Sequence, residues 1–222
     1  MNTKVAQMTT APGTMTQREL RAQARRSDLV EATLRSIAEY GIAGASIERI
    51  SQQAGVSRGL IRHYFGSKNQ LLVESFQRLA DEFHEVHGNV DAEPEDAESE
   101  LRGLIERTVN GPLFAPDRVY AWFGFWHAAR TNPDLQRINE AAYVLERERY
   151  QKLLAVAAKN RGRTIDAVQA GNALAALADG VWLDFLVDAP AAGVRSFTAA
   201  DAASICNLFV DLILGVGSAK EC

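Results

Sequence analysis

Apolar residues recur at helical spacing along almost all of the 222-residue chain, and strand-like alternation never extends beyond a few residues. The first apolar stripe runs from Leu29 to Ala38, and Gly41 follows it where a glycine commonly ends a helix. Two short helices are predicted after Ser46 and Ser57. The pattern then predicts longer helices over 67–87, 101–109, 117–130, 133–160, 165–187 and 199–214. We therefore expect an all-α fold of about nine helices.

The breaks between these helices suggest two helical parts and an N-terminal arm. Residues 1–20 are polar and marked by glycine and proline, which is typical of a disordered arm. Three short helices over 21–70 would form a first domain, and residues 71–222 a larger bundle. Pro94, in the acidic break before the fifth helix, is placed like a first-turn proline. The fourth helix would join the two parts.

Charge is divided unevenly between these parts. Residues 1–70 contain ten Lys/Arg and five Asp/Glu, whereas residues 71–222 contain 14 and 23, for a net charge of −4. Physiological salt screens surface charges beyond about 8 Å, so a basic N-terminal part could bind a polyanion despite the acidic body. This asymmetry favours nucleic acid as a partner of the first domain.

The number of cysteines and the lengths of the apolar runs restrict the class of protein further. Cys206 and Cys222 form neither a disulfide framework nor a metal-binding pattern. His84 and His87 have Asp81 nearby, but no cysteine or third histidine joins them. No apolar run reaches the roughly 20 residues of a membrane span. We expect a soluble, cytoplasmic protein without metal, cofactor or membrane partner.

The stretch "ASIERISQQAGVSRGLIRHYFGSKNQLL", residues 45–72, combines a tight turn with a basic helix. Gly55 permits a positive φ in the Ala-Gly-Val turn, and Ala54 lets the two short helices approach closely. Ile61 and Phe65 would face a shared core, which leaves the other face of the second helix outward. A helix of this kind fits the major groove of DNA, which is about 12 Å wide. The alternative is a basic face that only contacts solvent. We favour a DNA-binding helix, because the turn, the helix cap and the basic face occur together in one segment.

Particular roles on DNA follow from side-chain chemistry. Arg58 could bind guanine or phosphate, and Gly59 would let the backbone approach the duplex. Histidine, tyrosine and lysine side chains can donate to phosphates, as can the free amides of a helix N-terminus. The predicted DNA-binding residues are Arg25, Ser46, Ser57, Arg58, Gly59, Arg62, His63, Tyr64 and Lys68.

The same stretch resembles the DNA-binding motif of the TetR family of bacterial transcriptional regulators, over about residues 25–75. The resemblance is carried by "AGVS" at 54–57, Gly59, Tyr64-Phe65, Lys68 and Leu71. It implies nine helices, operator DNA as partner, a ligand-binding C-terminal bundle and a homodimer formed by the last two helices. Arg62 stands where the family often has tyrosine, so it could replace a phosphate contact or read a base.

The last two helices have the composition of a buried interface. The helix over 165–187 contains "AVQAGNALAALADGVW", which is rich in small residues, and the helix over 199–214 is apolar nearly all round. A helix apolar on all sides must be covered. Both helices could close the monomer's own core, or pair with a second copy as a two-fold four-helix bundle. The resemblance favours the dimer.

Aromatic residues cluster in "VYAWFGFWHAARTNPDL", where Trp122 and Trp126 are i, i+4 neighbours and Phe125 lies beside them. Asp179 and Trp182 form an i, i+3 pair further on, and a buried carboxylate needs a partner. These residues could simply be core. Tryptophan faces and a carboxylate can also hold a quaternary ammonium ion. The C-terminal half is similar to choline-sensing members of the family, which implies a small-molecule effector such as choline.

Three classes of function are open to such a chain. A repressor released from its operator by a small molecule uses both the basic helix and the aromatic cluster. An architectural DNA-binding protein would need no cavity. An all-helical enzyme would need catalytic motifs, and we find no nucleophile elbow, phosphate loop or HExxH sequence. We therefore predict a ligand-controlled regulator and no enzymatic activity.

Overall fold

The computed structural model describes residues 16–88, 96–188 and 196–216, and it contains no strand in these ranges. The all-α prediction is confirmed, and Pro94 lies outside the described residues. The helices are α1 (Gln17–Gly44), α2 (Ile47–Gln53), α3 (Arg58–Phe65), α4 (Lys68–His87), α5 (Ala97–Asn110), α6 (Pro116–Ala129), α7 (Pro133–Asn160), α8 (Ala167–Val187) and α9 (Ala199–Leu214), with a 3-10 turn at Pro112–Phe114.

Helix α1 is longer at both ends than its apolar stripe predicts. It begins with a capping box between Thr16 and Glu19, so residues 17–20, assigned above to the arm, are helical. Gly41, predicted as the end of this helix, has a non-helical backbone with φ 68°, and one further turn follows to Gly44. A glycine tolerates a positive φ, so the regular helix is interrupted there and the chain bends.

Helices α1 to α3 pack around a small core that the start of α4 completes. Leu29, Ile50, Ile61 and Leu71 are at most 1% exposed and hold these four helices together. Helix α4 then continues alongside α7 in the larger bundle formed by α4 to α9. It therefore connects the two parts of the chain, and the boundaries at 20 and 70 remain a prediction.

Helices α8 and α9 have an uncovered apolar face. Helix α8 packs on α7 and α9 packs on α5, while Val187, Leu208 and Leu212 are 66%, 60% and 70% exposed. Helix α8 is long and apolar enough to cross a membrane by length and composition alone. It is not an uninterrupted apolar run, because it contains Gln169, Asn172, Asp179 and Asp184. We interpret α8 as a bundle helix, because it packs on α7 and includes Asp179.

Candidate DNA-binding surface and effector cavity

Helix α3 presents a basic face because its apolar residues point inward. Ile61 and Phe65 are 1% and 5% exposed, whereas Arg58 and Arg62 lie at the surface. Gly55, with φ 65°, makes the turn that sets α3 against α2. The predicted cap at Ser57 is wrong in one respect, because its side chain makes no capping hydrogen bond. The hydroxyl and the first amides of α3 are thus left for another acceptor.

A groove along one side of α3 is lined by Arg58, Gly59, Arg62 and Lys68. Arg58 forms an exposed ion pair with Glu48 at 3.5 Å. A Cβ added to Gly59 would meet only the Ser57 hydroxyl, at 3.9 Å. The protein itself therefore has room for a larger residue at 59, which is consistent with close approach of another molecule.

Lys68 and Ser46 have structural contacts besides their predicted role on DNA. The Lys68 ammonium is half-buried and donates to the Ile42 carbonyl oxygen at 3.2 Å, and burial lowers its pKa. Ser46 caps α2, since its hydroxyl accepts from the Arg49 amide at 3.2 Å. Lys68 thus ties α4 to the end of α1, and Ser46 fixes the start of α2.

A second groove lies between α3 and the N-terminal turns of α1. Arg25, His63 and Tyr64 line it, together with Arg18 and Arg21, which the sequence interpretation did not select. The His63 and Tyr64 rings meet edge to face with centroids 5.4 Å apart. The structure thus brings every predicted DNA-binding side chain onto or beside α2, α3 and the ends of α1 and α4.

The larger bundle contains a cavity lined by aromatic and acidic side chains. Four predicted ligand residues, Trp122, Trp126, Asp179 and Trp182, line it. Phe125, the fifth, does not. It is fully buried on another face of α6 and stacks on Phe76 with ring centroids 4.6 Å apart, because adjacent helical residues point about 100° apart. Phe125 is thus a core residue.

Six further residues complete the cavity, and sequence reasoning missed them. Tyr143 and Glu146 are the polar additions of most consequence, and both lie on α7 one turn apart. Glu146 is 4% exposed and follows Ala142 on the buried stripe of that helix. A carboxylate among the mostly apolar residues of a buried helical stripe is the signal that could have identified it. The cavity residues not predicted are Phe83, Thr108, Ala142, Tyr143, Glu146 and Ala178.

The two carboxyl groups give the cavity its electrostatic character. The Tyr143 hydroxyl donates to Asp179 Oδ2 at 2.8 Å, and burial raises the pKa of Asp179. Burial, and next the charge of Asp179, hold the pKa of Glu146 well above its ordinary value. Among the described residues, none of those that line the cavity is a lysine, arginine or histidine. The site therefore favours a positively charged occupant, which would stabilise both carboxylates.

The tryptophan rings form three sides of this cavity. The Trp122 ring centroid lies 6.4 Å from those of Trp126 and Trp182, and Trp126 lies 6.0 Å from the Tyr143 ring. Among the described residues, neither Trp122 Nε1 nor Trp126 Nε1 has a hydrogen-bond partner. The open space between these rings is small, so an occupant much larger than water would press against them.

Histidine does not form a metal centre in the part of the chain that the structure describes, where no cluster of metal-ligating side chains occurs. His84 and His87 each place Nδ1 near the carbonyl oxygen four residues earlier, at 2.6 and 3.0 Å. His87 is fully buried, and burial lowers its pKa to about 4. These rings are therefore parts of α4 packing.

Comparison with known sequences gives matches to both parts of the fold. The description "Bacterial regulatory proteins, tetR family" matches residues 29–74, and "BetI-type transcriptional repressor, C-terminal" matches residues 97–215. The BetI regulator of Burkholderia lata is 34% identical over 161 residues, which cover 72% of this chain and 80% of that protein. The BetI regulator of Paraburkholderia phytofirmans is 31% identical over 191 residues, 86% of this chain and 93% of that protein.

Solved structures of regulators share the whole fold. A transcriptional regulator from Pseudomonas aeruginosa PAO1 is 30% identical with a TM-score of 0.72, over 89% of this chain and 96% of that chain. A regulator from Saccharomonospora viridis, solved in complex with choline, is 23% identical with a TM-score of 0.73, over 85% of this chain and 96% of that chain. The second similarity shows the fold alone.

The helix-turn-helix head and the cavity-bearing bundle together define a DNA-binding regulator that responds to a small molecule. The chain belongs to the TetR family of bacterial transcriptional regulators, and its C-terminal domain is of the BetI repressor type. Members of this family bind operator DNA as dimers and respond to small-molecule effectors. The prediction of a regulator instead of an enzyme is confirmed by these relatives.

Proposed function

We propose that the effector of this repressor is a quaternary ammonium compound such as choline, and that its binding in the cavity releases operator DNA. The observation that carries the proposal is the lining of the cavity. Trp122, Trp126 and Trp182 line it, and among the described residues Asp179 and Glu146 supply its carboxyl groups. Indole faces and a carboxylate attract a cation that has no N–H to donate.

Other classes of effector fit this lining less well. A carboxylate or phosphate would meet two acidic groups without a cationic side chain among the lining residues. A neutral apolar molecule would offer Asp179 and Glu146 neither a positive charge nor a hydrogen bond within the cavity. The choline complex of the regulator from Saccharomonospora viridis supports the proposal for a protein of the same fold.

Helix α6 would carry the signal from the cavity to the DNA-binding head. Choline would press against Trp122 and Trp126, which line the cavity and belong to α6. On another side, α6 packs directly on α1: a Cβ added to Gly124 would lie 3.0 Å from Ile37 Cγ2. A shift of α6 would therefore move α1 and the α3 that it supports. Choline would select dimers whose two α3 helices no longer fit the duplex.

In this account, the dimer binds an operator with one α3 in the major groove of each half-site. Arg58, Gly59 and Arg62 face the duplex, and the α8–α9 faces of two copies join the heads. The protein would work in the cytoplasm, where both the chromosome and the effector are available.

Isothermal titration calorimetry with three ligands tests the effector. Choline is expected to bind, 3,3-dimethyl-1-butanol, its uncharged isostere, much more weakly, and glycine betaine weakly because of its carboxylate. Replacement of Asp179 by asparagine should weaken choline at least tenfold, the order expected of a desolvated cation–carboxylate contact, and leave the uncharged isostere unchanged. Equal binding of choline and the isostere would exclude a cation site.

A further inference from the structure

Three arginines lie along one face of the first turns of α1, beside the end of α3. Arg18, Arg21 and Arg25 are three and four residues apart, so they share a face of the helix, and all three are exposed. They form one wall of the groove whose other wall is His63 and Tyr64 of α3. The basic surface of the recognition helix thus continues onto a second helix.

Arg26 fixes this part of α1 against the DNA-binding head. Its Nη1 donates to the Tyr64 carbonyl oxygen at 2.8 Å, and its Nε donates to Glu74 at 2.7 Å. Its guanidinium carbon also lies 4.6 Å from the centre of the Phe65 ring. These contacts join α1 to α3 and α4 at the level of the arginine row. The row is therefore held at a set position relative to the recognition helix.

The positive charge of the row is scarcely neutralised within the protein. Across the described ranges, Arg18 and Arg21 form no ion pair. Arg25 lies 3.6 Å from Asp28, and these side chains are 48% and 63% exposed. Such exposed pairs contribute little and open readily. All three guanidinium groups can therefore bind an external anion.

The row also lies outside both matches to known families. The match to the tetR family begins at residue 29, whereas α1 begins at Gln17. Residues 17–28 thus add three turns to the helix before the matched motif begins. The arginine row is a feature of this chain beyond the motif that defines its DNA-binding domain.

We propose that Arg18, Arg21 and Arg25 bind successive backbone phosphates of the operator, next to the half-site in which α3 lies. Helical rise spaces Arg18, Arg21 and Arg25 about 5 to 6 Å apart along α1, which is comparable to the separation of neighbouring phosphates of one strand. The planar guanidinium binds phosphate oxygens with two parallel hydrogen bonds. This inference rests on the proposed DNA-binding function and extends its footprint.

The salt dependence of DNA binding tests the row. A duplex is first selected in vitro from a random library with the full-length parent protein, and its affinity is measured by fluorescence anisotropy between 50 and 300 mM KCl. In the R18A/R21A/R25A variant, loss of up to six phosphate contacts per dimer should lower the slope of log affinity against log salt by about 2 to 5. Alanine favours helix, so α1 should stay folded, which circular dichroism checks.

Two control variants sharpen this experiment. K159A/R161A/R163A also removes three exposed positive charges, at the end of α7 beside Glu98, and should keep the parental slope. R18K/R21K/R25K keeps the charges and should keep most of the slope, because lysine also binds phosphate.

Different failures of this experiment have different meanings. A parent protein that selects no duplex would overturn the DNA-binding function together with this inference. A parent that binds, with the same slope and affinity in the triple alanine variant, would overturn the arginine row alone. If the salt slope of the lysine variant falls as far as that of the alanine variant, retained positive charge does not maintain the contacts. That result would contradict the assignment of the row to phosphates.

Discussion

Arg118 Nη2 lies 2.9 Å from Glu31 Oε2, an ion pair that joins the effector-binding bundle to the DNA-binding head. Arg118 belongs to α6, one turn before Trp122 of the cavity, and Glu31 belongs to α1. The same guanidinium binds Glu82 of α4 at 3.1 Å, and the next residue, Phe83, lines the cavity. The Arg118 side chain is only 15% exposed, so solvent weakens these pairs little.

Replacement of Arg118 by methionine should therefore uncouple the two sites. We expect choline to bind within about threefold of its parental affinity, since Arg118 does not line the cavity. The ratio of operator affinities without and with saturating choline should fall at least fivefold, the lower end of common allosteric coupling. Arg78→Met is the matched control, because Arg78 binds the same Glu82 at 3.1 Å on the exposed side of α4. An unchanged ratio in the Arg118 variant would show that the ion pairs of Arg118 do not couple choline binding to operator binding.

Glu146 should make choline binding depend on pH. Burial and the neighbouring Asp179 hold its pKa well above the ordinary value, so this carboxyl group keeps its proton to a higher pH than an exposed glutamate does. A bound cation favours the carboxylate form of Glu146, so choline binding should release protons at pH values below that raised pKa. Choline affinity should therefore rise with pH and level off above the raised pKa. Calorimetry in buffers of different ionisation enthalpy measures the protons.

The Glu146→Gln variant should lose most of this pH dependence, because its side chain cannot titrate. Glu148→Gln, on the exposed side of the same helix, should behave as the parent does. A pH profile that is the same in all three proteins would show that Glu146 does not respond to the ligand.

Substitution of Gly59 should change stability and operator affinity in opposite directions. A side chain at this position meets open space in the free protein, so Gly59→Gln should raise the free energy of unfolding by up to about 1 kcal/mol, since glycine disfavours helix. The same side chain would stand between α3 and the duplex, and operator affinity should fall at least tenfold. Gly103→Gln in α5 provides the control, with operator affinity unchanged. A Gly59→Gln variant with the operator affinity of the parent would show that the duplex does not approach α3 at this position.

The exposed apolar face of α9 should be essential for the dimer. Leu212 is 70% exposed, and a charge there would be buried without a partner when two copies pair. Leu212→Glu should elute as a monomer at micromolar concentration in light scattering, with greatly weakened operator binding. Val144→Glu on α7, where the valine is 54% exposed, should remain dimeric. If the Leu212→Glu variant remains dimeric, the dimer interface does not include this face of α9.

Local patterns in the sequence were sufficient to predict the helices and the basic face of α3. The turn at Gly55 and the basic side chains of α3 lie within one short segment, so their spacing alone fixes which of them share a surface. Trp122 and Trp126 were predictable in the same way, because i, i+4 neighbours on a helix point in one direction.

The remaining residues of the cavity depend on how distant helices pack. Tyr143 and Glu146 reach the cavity because α7 packs beside α8, and the Tyr143–Asp179 hydrogen bond joins residues 36 positions apart. No spacing within one helix indicates such a pair. Phe125 was assigned to the cavity for its neighbours in sequence, but the helical turn places it against Phe76.

Effector-controlled release of DNA is measured most directly by titrating choline into the complex of this protein with its selected, fluorescently labelled duplex. Anisotropy should fall to the value of free DNA as choline rises, while 3,3-dimethyl-1-butanol at equal concentration should leave the complex intact. A complex that persists at millimolar choline, or that both compounds dissociate equally, would contradict the account.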